Sequence, residues 1–216
     1  IFFFRSLIGL IVFSVYLLFT KKQPILTTQY PILTLFRVTV FFIGFLSFYL
    51  SLSILSLTVA TILFFASPFF ITILSKMFLK ENIGIRRWSA VIVGFIGVVI
   101  AMDPNFKDFN FYSLMPIFTA LAYSVNMIII KKTSEKDSIY SQIFYLYIAA
   151  IIGSVLISFF IGNGRFDVYD NPGLQFLLRE WTFSYNETSI YIFITGLTGA
   201  VGFLCLHQAY RIGSPP

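Results

Sequence analysis

Ile139 to Ile161 reads IYSQIFYLYIAAIIGSVLISFFI, an apolar run with no charged residue and no strict alternation of apolar and polar positions. A bilayer core about 30 Å thick is crossed by about 20 helical residues at 1.5 Å rise each, so this run spans it. Backbone in lipid must satisfy its own hydrogen bonds, which leaves helices or closed barrels, and a continuous run selects the helix. The same character recurs in Phe2 to Thr20, Thr34 to Ile54, Thr58 to Met77, Trp88 to Met102, Phe111 to Ile130 and Ser189 to Tyr210. None of these stretches contains Asp or Glu. The expected fold is therefore all-α: a polytopic helical membrane protein with about seven transmembrane helices in this length of chain.

Composition agrees. With 58% hydrophobic, 19% aromatic and 11% charged residues in 216, and a mean hydropathy of +0.89, the chain lacks the polar residues to cover a water-exposed surface. The net charge of +6 comes from basic residues placed between apolar runs, not from a patch interleaved with aromatics, so no nucleic-acid partner is expected. Cys205 is the only cysteine and lies inside an apolar run, which excludes a disulfide framework and a cysteine metal cluster. Membrane enzymes need a nucleophile with its base, paired carboxylates or a His-rich metal set. His207, the only histidine, sits two residues from Cys205 on one helix and supplies none of these, so no enzyme activity, metal or cofactor is expected.

The run from Ile32 to Leu79 is too long for one helix and is broken at the Ser/Thr-rich turn Ser53, Ser56, Thr58. Lys and Arg collect on the cytoplasmic side of short connections. Lys21 and Lys22 mark the first connection, Lys80, Arg86 and Arg87 the third, and Lys131, Lys132 and Lys136 the fifth. The fourth carries Asp103, Lys107 and Asp108, and the sixth is rich in acids, including Asp167, Asp170, Glu180 and Glu187. Odd connections are thus cytoplasmic, with Arg37 and Arg211 near cytoplasmic helix ends and Arg5 at the outer end of the first span, snorkelling or lining a cavity mouth. In the sixth connection Asn171-Pro172-Gly173 reads as a turn before an interfacial helix, and Asn186-Glu187-Thr188 is a cheap match to a glycosylation sequon. Both ends of the chain look truncated.

A faint repeat runs through the chain. Phe4, Ile8, Ile11, Ser14, Val15 and Phe19 recur 140 positions later as Phe144, Ile148, Ile151, Ser154, Val155 and Phe159. Gly44, Phe45, Leu46, Ile54 and Ser56 recur at an offset of 158 as Gly202, Phe203, Leu204, Ile212 and Ser214. The connection within the first copy is basic and its counterpart acidic, so the copies have opposite orientation, the inverted repeat from which alternating-access transporters are built. Gly94 with Gly97, and Gly196, Gly199 and Gly202, read as close helix packing.

The ordered block Ser51 to Thr61, Ala66-Ser67-Pro68-Phe69, Leu79-Lys80-Glu81, Arg87-Trp88 and Gly94-Phe95-Ile96-Gly97-Val98 resembles an EamA domain of the drug/metabolite transporter superfamily. Ala209-Tyr210-Arg211 with Gly213-Ser214-Pro215 is similar to the matching point of a second copy. The resemblance implies a ten-helix fold of two inverted five-helix repeats, of which this chain holds helices two to eight. Residues 1–103 are then the first repeat without its first helix, and 104–216 the second without its last two. It further implies a multi-pass protein of the bacterial inner membrane, with the missing termini cytoplasmic, moving a small metabolite by alternating access. An amino acid, amine, nucleoside-like or drug-like solute fits; a channel or a non-transporting membrane subunit is the alternative. Expected partners are the small-molecule substrate and the lipid bilayer, with a homodimer open.

The family's central cavity is expected between the second, third, fifth and seventh spans, and polar residues in mid-span are its candidates. Tyr49 and His207 are related by the offset of 158 and are expected to face one another. Ser67 and Pro68 interrupt the third span, where Pro removes a backbone hydrogen bond and either opens the backbone to a cavity or kinks the helix. Thr61 precedes them and has a second reading as a back-bond to its own helix. Tyr123 and Asn126 share a face of the fifth span, Asn126 binding solute or tying helices together. Tyr145 and Tyr147 point to different faces of the sixth.

Overall fold

The computed structural model describes residues 2–19, 26–102, 111–167, 172–180 and 189–212. Lys21, Lys22, Asp103, Lys107, Asp108, Asp170, Asn171, the sequon at Asn186 and the segment 213–216 lie outside the described residues. The helices are α1 (Phe2–Phe19), α2 (Pro31–Ser51), α3 (Leu57–Phe64), α4 (Ser67–Leu74), α5 (Ile85–Met102), α6 (Leu114–Thr133), α7 (Ile139–Ile161), α8 (Pro172–Leu178) and α9 (Ser189–Ile212). Six stretches are long and apolar enough to cross a membrane: Phe2–Phe19, Pro31–Ser51, Leu57–Leu79, Phe111–Thr133, Ile139–Ile161 and Ser189–Ala209. The remaining expected span, Trp88 to Met102, lies within α5, whose first turn carries Arg86 and Arg87. Leu18, Ile32, Ile100, Phe159 and Ile212 stand largely exposed, which only a lipid surround tolerates at this density.

Local signals set the boundaries. Pro31 opens α2, where its missing N–H costs nothing. The chain breaks after Ser51 as the Ser/Thr-rich turn predicts, and Ser56 caps α3 by accepting from the Val59 amide at 3.3 Å. Pro68 divides the third span at Phe65 and Ala66, where bonds such as Ala66 N to Leu63 O at 3.2 Å tighten the backbone before α4. After α4 the helix widens into a π turn, Ser75–Leu79, and ends at left-handed Lys80 with φ 55°. Ser138 caps α7 through the Ser141 amide at 3.0 Å. The short α8 occupies the place of the expected interfacial helix.

α6 is the axle of the bundle, packed on α2, α3, α4 and α9. Contacts along each pair give the helix directions. On α2, Gly44 meets Ala122 while Arg37 meets Asn126, so α2 and α6 are antiparallel. Arg37 reaches Gln142 and Phe42 meets Gly153, so α2 and α7 are parallel. Phe13 stacks near Tyr140 and Gly9 meets Tyr147, so α1 and α7 are antiparallel. Single glycines make the closest approaches: a Cβ on Gly44 would stand 2.5 Å from Ala122 Cβ, and one on Gly153 2.6 Å from the Phe42 ring. Gly94, Gly97 and Gly202, read from sequence as packing glycines, have nothing within 4 Å. α5 packs on the flank of α3 and α4, with Phe95 against Phe69, and turns Gly94 and Gly97 away.

Candidate functional site

An aromatic cavity opens between α1, α2, α7 and α9. Its walls close in to leave about 10 Å³, room for about one water molecule. Phe2, Phe41, Phe45, Tyr147 and Phe203 form its walls, and Arg5 is its cation. The rings meet edge to face or tilted, Phe41 with Phe45 at 4.5 Å, Tyr147 with Phe203 at 6.0 Å and Phe41 with Phe203 at 6.2 Å. Gly196 lets α9 close on α1, since a Cβ there would come within 2.8 Å of Ile8, and Gly199 faces the Arg5 guanidinium. Arg5 Nη1 donates to Tyr49 Oη at 3.3 Å, so the cation lines the cavity. The Tyr147 hydroxyl is buried with no hydrogen-bond partner among the described residues.

One turn along α2 from Phe41 the chemistry changes. Arg37 is 1% exposed and donates to Asn126 Oδ1 at 3.1 Å and to the Gln142 carbonyl at 2.9 Å. Gln142 Nε2 donates to Thr133 Oγ1 at 2.8 Å and to the Ile130 carbonyl at 3.2 Å, stitching α7 to α6. Asp137 accepts from Thr28 Oγ1 at 2.6 Å and from the Gln29 amide at 2.8 Å, and Lys136 Nζ sits 5.7 Å from the Tyr30 ring centre. The segment before α2 and the turn before α7 therefore meet at one end of the bundle. His207 is fully buried one turn from Phe203, whose carbonyl oxygen lies 2.9 Å from Nδ1. Gly196 lies against Arg5, which bonds Tyr49, while Phe203 meets Phe41, so α9 is antiparallel to α2.

The expected site residues fall into three places. Tyr49 joins the outer cavity through Arg5 and also packs on Phe2, ring centres 5.8 Å apart. Asn126 joins Arg37, one turn from Phe41, and His207 lies one turn from Phe203 on α9. Tyr123 lies between, half-buried against Phe64 at 5.5 Å and beside the Val38, Phe41 and Leu146 cluster. Ser67 and Pro68 sit on the far side of α6, where the Ser67 carbonyl accepts from Ser124 Oγ at 3.0 Å. Thr61 donates to its own Leu57 carbonyl at 2.6 Å. Tyr49 and His207 are not brought together: Tyr49 bonds Arg5, whereas His207 lies a turn beyond Phe203, whose ring meets Phe41, eight residues from Tyr49 and about 12 Å along α2 at 1.5 Å per residue.

Arg37 went unread as a site residue because a cation six positions into a span looks like a helix-end anchor. The available signal was spacing: Arg37, Phe41, Phe45 and Tyr49 recur every fourth residue on one stripe, matched by Gly199, Phe203 and His207 on α9. Gln142 and Asp137 gave no such signal.

Apolar helices packed around a ring-lined cavity define a multi-pass membrane protein. Residues 1–102 match the EamA-like transporter family. The chain is similar to the S-adenosylmethionine uptake transporter of Rickettsia bellii, 35% identical over 153 residues, which are 71% of this chain and 52% of that protein. It is also similar to the riboflavin transporter of Vibrio cholerae, 39% identical over 84 residues, 39% of this chain and 28% of that one. The pseudopaline exporter of Pseudomonas aeruginosa is 24% identical over 154 residues, 71% and 54% of the two chains. The chain spans about half the length of the curated relatives it matches.

Proposed function

We propose that the protein containing this chain is a carrier, not an enzyme, that moves a small metabolite across the bacterial inner membrane by alternating access, and that the solute carries a planar ring. The carrying observation is the lining: five aromatic side chains and one inward-facing cation, shared between helices of the chain's two halves and closed on one another, so that these helices must part to admit a solute. Offset-stacked and edge-to-face contacts suit a flat conjugated ring, and Arg5 suits an acceptor oxygen on it. The names of the S-adenosylmethionine and riboflavin relatives point to solutes of this kind.

The helix directions support two inverted repeats, divided near residue 103. α1 is antiparallel to α7 and α2 to α9, the two pairs that the sequence offsets relate. Two connections expected on the cytoplasmic side also meet, through Asp137 with Thr28 and Gln29. The missing termini are cytoplasmic in this reading, and a second copy of the protein is a compatible partner.

Uptake of labelled S-adenosylmethionine and riboflavin by proteoliposomes holding the full-length protein tests the proposal. Saturable uptake of either, reduced at least tenfold in uptake efficiency by Phe203→Ala, is expected. Linear, unsaturable flux would favour a channel, and no flux of any ring-bearing solute would leave a non-transporting subunit.

A further inference from the structure

The turn between α4 and α5 carries positive charge that the fold does not offset. The span Leu57–Leu79 ends in the π turn, where the amides of Lys80 and Glu81 both donate to the Ser75 carbonyl, that of Glu81 at 3.4 Å. Arg87 Nη1 donates to Glu81 Oε2 at 3.2 Å, and the Arg87 amide donates to the Gly84 carbonyl at 3.1 Å as α5 begins. These bonds gather Lys76, Lys80, Arg86 and Arg87 on one short connection with a single acid, Glu81, which Arg87 already pairs. Lys76, Lys80 and Arg86 are exposed and are in no ion pair among the described residues. Their neighbours Met77, Phe78 and Ile85 are also exposed, at 64%, 55% and 85%.

The turn before α7 has a different balance. Lys131, Lys132 and Lys136 share it with Glu135 and Asp137, three cations against two acids, and Lys136 Nζ lies 5.7 Å from the Tyr30 ring centre. The α4–α5 turn sets four cations against one acid, and it does so at the end of a membrane span with apolar side chains beside the charge. A phosphate that arrives with acyl chains is complementary to both halves of that surface. We propose that Lys76, Lys80 and Arg86 bind the headgroup phosphate of an anionic phospholipid whose chains lie along Met77 and Phe78. A soluble acidic partner answers the charge but leaves the apolar side chains unmatched, whereas a lipid covers both. Near an anionic membrane surface each Lys or Arg contributes about fivefold in affinity, and the three together restrain the π turn against the start of α5. A ligand that binds only the folded state raises its stability, so occupancy of this turn is readable as resistance to unfolding.

Thermal unfolding of the full-length protein in detergent tests this, with titration of phosphatidylglycerol, phosphatidylcholine of the same chains, or glycerol 3-phosphate. Phosphatidylglycerol is expected to raise the melting temperature with a half-saturating concentration at least about tenfold below that of phosphatidylcholine, and glycerol 3-phosphate to have no effect over the same range. The triple substitution Lys76→Gln, Lys80→Gln and Arg86→Gln is expected to abolish the preference, and Lys80→Gln alone to weaken phosphatidylglycerol about fivefold. Lys132→Gln with Lys136→Gln is expected to leave the preference intact, which separates this turn from a general attraction of basic connections to anionic lipid. Equal responses to the two lipids, or a preference that survives the triple substitution, would overturn the site. Stabilisation by glycerol 3-phosphate equal to that by phosphatidylglycerol would overturn the lipid as its occupant.

Discussion

The two ends of the bundle are held by different chemistry. At the outer end, four helices are spaced by rings that meet at 4.5 to 6.2 Å, with one long hydrogen bond from Arg5 to Tyr49 and an unused tyrosine hydroxyl. At the inner end, Arg37, Gln142, Thr133, Asp137 and Thr28 join α2, α6, α7 and the segment before α2 through bonds of 2.6 to 3.2 Å. Ring contacts are weak individually and slide, whereas buried charge-assisted bonds are directional and costly to strand. A bundle built this way opens more readily at its aromatic end, and in the proposed transport cycle the inner network is the closure to be undone.

The comparison breaks first if the inner network contributes nothing. Asp137→Ala removes two short bonds to a carboxylate and leaves the Gln29 amide and the Thr28 hydroxyl without that acceptor. Hydrogen bonds to charged groups each contribute about 1.5–3 kcal/mol, so a loss of about 3 kcal/mol is expected, read from denaturant unfolding of the purified protein. A loss below about 0.5 kcal/mol would mean that the two connections merely lie side by side.

Glycines sharpen the comparison next. Gly44→Val drives a branched side chain into Ala122, against backbone whose carbonyl already accepts from Thr119 Oγ1 at 2.7 Å. Overpacking of this kind costs about 1–3 kcal/mol. Gly94→Val meets open space on α5, so a change within about 0.5 kcal/mol is expected from the same denaturant unfolding. Equal destabilisation by the two would show that the open face of α5 is covered by another helix or another copy.

These glycines also show what was legible. Stripes attract attention in a sequence, yet Gly94 with Gly97 faces open space while the isolated Gly9, Gly44 and Gly153 carry close crossings. A glycine's role depends on which face of its helix meets a neighbour, and that is a tertiary fact. The spans were legible because length and hydropathy are properties of single segments: Ile139–Ile161 matches the observed helix residue for residue. Breaks signalled by Ser56 and Pro68 were equally local. The site was legible in part. Asn126 and His207 stood out as polar residues in apolar runs, but the partner that holds Asn126 is Arg37, on another helix. The offset of 158 related Tyr49 to His207 by topology, and topology alone does not fix depth in the membrane.

Tyr49→Phe is the smallest change and tests the outer end alone. It removes the acceptor for Arg5 Nη1 and keeps the ring that packs on Phe2 at 5.8 Å. The bond is long, at 3.3 Å, and only partly buried, so water replaces the lost partner and the stability change stays below about 1 kcal/mol. The Arg5 guanidinium, still held beside Gly199, samples more orientations at the cavity wall. Ordering it again falls on the solute, so KM for uptake is expected to rise about threefold with turnover and melting temperature nearly unchanged, consistent with about 0.5–1.5 kcal/mol for immobilising one long side chain. A fall in stability of more than about 2 kcal/mol with unchanged KM would place the Arg5–Tyr49 pair in the same structural class as Asp137 with Thr28, and the contrast between an adaptable outer end and a fastened inner end would be lost.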